Sequence, residues 1–153
     1  GDGLFDAGAW IAAGGKFGIG SDSNLRVSVS EELRLLEFGC RLRVQRRNIL
    51  ADEGVSCGRT LYQRAAQGGA MALGQTTGRI EPGFRADLLE LDDKHPFLEG
   101  REGDCIVDSW LFAGGASMVR SVWVAGEPRV VEGVHVNREA LLQPFRQAMR
   151  ELG

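Results

Sequence analysis

The 153-residue chain is poor in the residues that mark several functional classes. Its only histidines are His95 and His135, too few for a histidine-built centre within this sequence. Lys and Arg total 18 against 21 Asp and Glu, a formal charge of -3, so the basic excess that phosphate-backbone binding requires is missing. Nucleic acid is therefore not an expected partner. No apolar run approaches the roughly 20 residues of a bilayer span, and Gly1-Asp2-Gly3 lacks the basic start of a signal peptide. No membrane association is expected. Three cysteines, Cys40, Cys57 and Cys105, form neither a Cys-x-x-Cys pair nor an even set, which suits a reducing compartment and a cytoplasmic protein. Gly-x-Gly-x-x-Gly at a strand-to-helix junction and Gly-Lys-Ser/Thr are both absent, so no nucleotide loop is predicted. Internal repeats and low-complexity segments are absent as well.

Glycine, by contrast, is abundant. The 22 glycines are about double the usual share of roughly 7%, and they demand many tight turns. Phe17 and Ile19 alternate with Gly18 and Gly20 before Ser21-Asp22-Ser23-Asn24, a pattern that predicts a short buried strand ending in a polar turn. Ser28 and Glu31 fit a capping box, with Ser30 as a competing cap. The helix they open extends to about Asn48, with Leu33, Leu36, Cys40 and Val44 inward and Arg34, Glu37, Arg41 and Arg47 on the other, solvated faces. A second helix is predicted from about Ser56 to Leu73, with Leu61, Ala65, Ala72 and Leu73 buried and Gly74 capping its end. Gly68-Gly69 inside it weakens the helix, which predicts a close backbone approach at that point.

After Gly78 the texture turns to strands. Ala86 to Leu91 follows a turn at Pro82-Gly83. Val119 to Val124 and Val130 to Val134 make a hairpin about Gly126-Glu127, with Trp123 as a large core residue. Asn137 caps a final helix, and Pro144 either kinks it or delays its start to near Gln143. The first strand has no evident partner, so part of a sheet is missing from the inventory.

Among residues that could carry chemistry, Asp22 stands out. A carboxylate between two serines at a strand's carboxyl end is where barrel and doubly wound enzymes put catalytic groups, although a lone Asp in a turn also serves as a turn former. His95, in Asp92-Asp93-Lys94-His95-Pro96, has no second ligand at a fixed spacing and reads as a surface loop residue. His135 reads as structural. Cys57 has no nearby histidine to activate its thiol.

Gly20-Ser21-Asp22-Ser23 ahead of a helix, and later Gly78-x-Ile80-x-Pro82-Gly83-x-x-Ala86-Asp87-Leu88, resemble the carboxyl-terminal end of metal-dependent amidohydrolases. Four further stretches resemble the formimidoylglutamate deiminases of that superfamily: Gly1-Asp2-Gly3-Leu4-Phe5, Phe17-Gly18-Ile19-Gly20-Ser21-Asp22-Ser23-Asn24, Glu31-Glu32-Leu33-Arg34 and Trp110-Leu111-Phe112-Ala113-Gly114. The resemblance implies an α/β fold, the last portion of a (β/α)8 barrel with the carboxyl-terminal half of a small composite β-sandwich and a terminal helix. Residues 1–77 would end the catalytic barrel, with its last strand at about 16–21. Residues 78–136 would form the sandwich module, and 137–153 the terminal helix. A whole barrel takes about 250 residues, so the chain would supply only the last part of such an enzyme.

The resemblance further implies hydrolysis of N-formimidoyl-L-glutamate to N-formyl-L-glutamate and ammonia in histidine degradation, an attack on an amidine C–N bond of EC 3.5.3 type. Asp22 maps onto the family's aspartate, and is expected both to bind the metal and to move protons. Ser21, Ser23 and Asn24 are expected to orient it. The cofactor implied is zinc, one divalent metal whose other ligands lie upstream, because neither His95 nor His135 matches a ligand position. No substrate-binding residue is assigned. The expected partners are a small-molecule substrate, an upstream segment or another chain that completes the barrel, and a second copy in a homodimer. The chain alone is expected to be inactive. Alternatives are another amidohydrolase deaminase or chlorohydrolase, and a truncated noncatalytic fold module.

Overall fold

Helices start where the sequence offers caps. In the computed structural model, which describes residues 3–153, Asp6 accepts from the Ala9 N–H and opens α1 (Ala7–Ala12). Gly1 and Asp2 of the first resemblance motif lie outside the described residues. Ser28, not Ser30, caps α2 (Val29–Val44) by accepting from the Glu31 N–H at 3.3 Å, and Ser56 caps α3 (Cys57–Ala72) by accepting from Arg59. Glu31 and Glu32 in the first turn of α2 complement the positive end of its dipole.

Leu33 and Cys40 of α2 and Leu61 and Ala65 of α3 enter the core as their spacing predicts. Val44, Ala72 and Leu73 do not: they sit at helix ends that run past the core, and all three are exposed. Glu37 corrects the expectation of a solvated face in the other direction, since its side chain is 0% exposed.

β1 (Leu88–Leu91), β2 (Val119–Val124), β3 (Glu127–Val131) and β4 (Val134–His135) form one antiparallel sheet in sequence order. Two two-residue turns build the hairpins, Ala125-Gly126 and Glu132-Gly133, with all four residues at positive φ, the geometry that matches strand twist. The first turn lies one residue before the expected Gly126-Glu127. Trp123 is half-buried rather than central, because it stands beside that turn; Ser121 is the buried residue of β2. Between β1 and β2 the chain is helical, against the strand-rich expectation. It runs through a 3-10 turn (Pro96–Leu98), α4 (Asp104–Ser109), a π-helical turn (Trp110–Gly114) and a second 3-10 turn (Gly115–Met118). This stretch delivers Trp110, Leu111 and Met118 to the core, where Trp110 meets Tyr62 edge-on at 5.2 Å.

The expected strand at about 16–21 forms no sheet ladder among the described residues. All four strands belong to the antiparallel sheet, which leaves the Phe17 to Gly20 segment without a strand beside it. Its alternation is nevertheless real: Phe17 and Ile19 are half-buried against the core, while Gly18 and Gly20 are exposed. The last helix, α5 (Arg138–Leu152), starts before Gln143 and continues past Pro144. The hydrogen bond that proline removes would fall on the Ala140 carbonyl, and Ala140 is exposed, so that carbonyl is open to solvent. Among the described residues no helix is long and apolar enough to cross a membrane.

Candidate functional site

The turn that carries Asp22 is held from both sides. Upstream, the Phe17-Gly18 backbone lies directly on α3: a Cβ built at Gly68 would stand 1.9 Å from the Phe17 carbonyl oxygen. The predicted close approach at Gly68-Gly69 is therefore present. Downstream, the Asn24 N–H donates to the Ser21 carbonyl at 2.8 Å, closing the turn, and Asn24 Nδ2 donates to Glu32 Oε1 at 3.0 Å, tying it to α2.

Asp22 occupies the turn with φ 46°, a left-handed conformation that Asp and Asn tolerate better than most residues. Its side chain is exposed, as are those of Ser23 and Asn24, while Ser21 is half-buried. Two concavities adjoin the segment. One of about 680 Å³ is lined by Ser23, Asn24, Arg26 and the α2 residues Glu31, Arg34 and Phe38. The other, about 370 Å³, lies between Phe5, Phe17, Ile19 and Leu36. Among the described residues, Asn24 is the orienting candidate whose side chain has a defined anchor, and that anchor is Glu32 rather than Asp22.

The other candidates are accounted for locally. His95 Nδ1 accepts from the Phe97 N–H at 3.3 Å and caps the 3-10 turn, and His135 Nδ1 accepts from the Asn137 N–H at 3.1 Å. Among the described residues no three His, Cys, Asp or Glu side chains gather as a metal site. A zinc centre takes three or four protein ligands, so the single Asp22 carboxylate does not by itself make one. Burial, followed by the negative charge of Glu37, pushes the Cys57 thiol up to about 12, the opposite of what a nucleophile needs.

Two carboxylate arrangements were not legible in the sequence. Glu37 accepts from Arg41 Nε at 2.7 Å and from the Ile49 and Leu50 N–H groups at 3.1 and 3.0 Å, clamping the link after α2. Only the i,i+4 pairing with Arg41 is visible along the chain, and that pairing ordinarily marks a helix surface. Asp108 accepts from the Gly58 N–H at 2.6 Å and Asp104 accepts from Arg59 at 2.6 Å, so α4 satisfies the first turn of α3. The motif around Asp87 is also explained. Its carboxylate accepts from the Ala125 N–H at 2.8 Å and from the Thr77 hydroxyl at 2.7 Å, joining the turn before β1 to the β2–β3 hairpin.

The chain as a whole matches a known family. The model for the amidohydrolase family matches residues 1–129. The chain is 50% identical over 153 residues to a formimidoylglutamate deiminase of Pseudomonas aeruginosa, covering 99% of this chain and 34% of that protein, in its carboxyl-terminal part. It is 27% identical over 148 residues to a 5-methylthioadenosine/S-adenosylhomocysteine deaminase of Desulforamulus reducens, covering 93% of this chain and 33% of that one. Among solved structures, an amidohydrolase from Brucella melitensis matches with a TM-score of 0.87 and 41% identity, over 99% of this chain and 33% of that one. An adenosine deaminase from Xanthomonas campestris with bound zinc matches with a TM-score of 0.78 and 26% identity, over 95% and 33%. The chain thus spans about a third of the length of the relatives it matches. Matched along most of its residues by the family model and along nearly all of them by these relatives, it belongs to the amidohydrolase family.

Proposed function

We propose that this chain is the part of a formimidoylglutamate deiminase that carries the Asp22 carboxylate. The reaction is hydrolysis of N-formimidoyl-L-glutamate to N-formyl-L-glutamate and ammonia, a cytoplasmic step of histidine degradation of EC 3.5.3 type. The observation that carries this reading is 50% identity to that deiminase over 99% of the chain, a span that includes the Phe17 to Asn24 stretch. In this reading residues 1–77 close a (β/α)8 barrel, with 16–21 as its last strand once a neighbouring strand pairs with it. Residues 78–136 are half of a composite β-sandwich and 137–153 a terminal helix. The TM-score of 0.87 with an amidohydrolase supports the assignment. A divalent metal, zinc, belongs to the same proposal, with its other ligands outside residues 1–153; so do the residues that hold substrate, and a homodimeric assembly. Residues 1–153 alone are inactive.

The exposure of Asp22 and the chemistry of a carboxylate support the role proposed for it. An ionised carboxylate accepts a proton from the attacking water as the C–O bond to the formimino carbon forms. It returns that proton to the formimino nitrogen as the C=N bond becomes single, and then passes the hydroxyl proton of the tetrahedral intermediate to the same nitrogen as the C=O bond forms and the C–N bond breaks, so that one water is consumed and one ammonia released. Ser21 and Ser23 flank the carboxylate, and Asn24 fixes the turn through Glu32.

Asp22→Asn in the complete polypeptide is a clean test, because Asn is equally at home at φ 46°. Ammonia release from N-formimidoyl-L-glutamate is expected to fall at least about 10²-fold, as for loss of a general base. Near-normal release would reduce Asp22 to a turn former; a complete wild-type polypeptide without such turnover would leave the noncatalytic module as the better reading. The 27% match to a nucleoside-type deaminase favours a second member of the family as the alternative. Preferential turnover of an adenosine-type substrate by the same preparation would select it.

A further inference from the structure

Gly68 is inside a helix, and its presence there is not explained by backbone conformation. Its φ is not positive, so any residue could adopt it, and glycine at such a position only weakens the helix. What the missing side chain provides is room. A Cβ at Gly68 would lie 1.9 Å from the Phe17 carbonyl oxygen, 2.5 Å from the Phe17 carbonyl carbon and 3.1 Å from its nitrogen. All three are backbone atoms, which cannot swing aside as the end of a side chain can. The contact is reciprocal, since a Cβ at Gly18 would stand 3.1 Å from the Gly69 Cα and 3.2 Å from its nitrogen. Gly69 itself is different: a Cβ there would meet nothing within 4 Å.

We propose that Gly68 is a positioning residue for Asp22, setting the depth at which the Phe17-Gly18 backbone seats on α3 and hence the place of the carboxylate four residues on. The inference rests on the proposed role of Asp22. Phe17 and Ile19 pack against the core, and the far side of the turn is tied to α2 through Asn24 and Glu32. A methyl group at Gly68 forces the Phe17 end outward by more than about 1 Å to regain ordinary contact, while the Asn24 end stays anchored. The turn between them tilts, and Asp22 is carried with it. Displacements of this size at a reacting group cost about 10²-fold in rate.

The test is a matched pair in the complete polypeptide, Gly68→Ala and Gly69→Ala, which make the same exchange at adjacent places in one helix. Gly68→Ala is expected to lower kcat for N-formimidoyl-L-glutamate about 10²-fold with KM changed less than about threefold, the pattern of a lost transition-state interaction. Gly69→Ala is expected to keep both constants. A folded Gly68→Ala enzyme with the kcat of Gly69→Ala, or with KM raised and kcat intact, overturns the inference. If Gly68→Ala does not fold, Gly18→Ala decides, because its contact is milder: a fall in kcat at constant KM supports the proposal and an unchanged kcat overturns it. Asp22→Asn run alongside separates the two levels. Absence of turnover in the complete wild-type polypeptide removes the proposed function, normal turnover by Asp22→Asn removes the catalytic role of Asp22 and the inference that rests on it, and loss of turnover there with Gly68→Ala behaving as Gly69→Ala removes the positioning role alone.

Discussion

Replacing Glu37 by Gln keeps shape and volume while changing one oxygen into a donor, at a site without solvent. Three donors converge on the carboxylate, Arg41 Nε and the Ile49 N–H on Oε1 and the Leu50 N–H on Oε2. If the new amide nitrogen takes the Oε1 position, it faces two donors; at Oε2 it faces one. The second arrangement is the cheaper, and it still loses one charge-assisted bond and leaves the Leu50 N–H without an acceptor. Hydrogen bonds to charged groups contribute about 1.5 to 3 kcal/mol and an orphaned buried donor costs about 1 to 3. These overlap, and the Arg41 side chain keeps 27% of its exposure, which screens its share. The expected loss is about 2 to 4 kcal/mol, a large fraction of the roughly 5 to 15 that hold a domain together. Urea unfolding followed by tryptophan fluorescence, with Trp110 buried in the same core, reads the change as a lower midpoint. A Glu37→Gln protein within about 0.5 kcal/mol of wild type, the range of ordinary surface substitutions, would refute the clamp.

Two further outcomes follow from the titratable groups. Because the Cys57 thiol is pushed up to about 12 and Cys40 is buried too, alkylation near neutral pH should label the exposed Cys105 alone until denaturant is added. Labelling of Cys57 at the rate of Cys105 would contradict its burial beside Glu37. The Ala125 N–H first, then the Thr77 hydroxyl and Arg85, hold the Asp87 carboxyl below its ordinary 3.8. Its contribution to stability is therefore complete above 3.8 and disappears as pH falls through the lowered value. In acid titrations of hairpin structure, wild type should exceed Asp87→Asn above pH 3.8 and the gap should close as pH falls below it; a gap that stays constant on acidification would show that ionisation of Asp87 is irrelevant.

What the sequence determined by itself is what local physics decides. Ser28 and Ser56 each cap a helix because a hydroxyl at that position reaches an N–H three residues ahead. Leu33, Cys40, Leu61 and Ala65 face inward because 3.6-residue periodicity aligns them. The cost of glycine in a helix exposed Gly68-Gly69 as a contact before any neighbour was known, and the motifs around Asp22 and Asp87 carried the family. Tertiary structure decided everything that depends on a partner distant along the chain. The Glu37 carboxylate is buried because backbone N–H groups 12 and 13 residues away turn toward it, and Asp108 serves Gly58 in the first turn of α3, 50 residues earlier. Trp110 to Met118 folds into helical turns although its composition permits a strand, since an apolar run is compatible with either until the surrounding core fixes its path. The Phe17 to Gly20 segment has the alternation of a strand and, among the described residues, no ladder. Alternation records which side chains meet the core, whereas a strand also needs a second backbone beside it to pair its N–H and C=O groups.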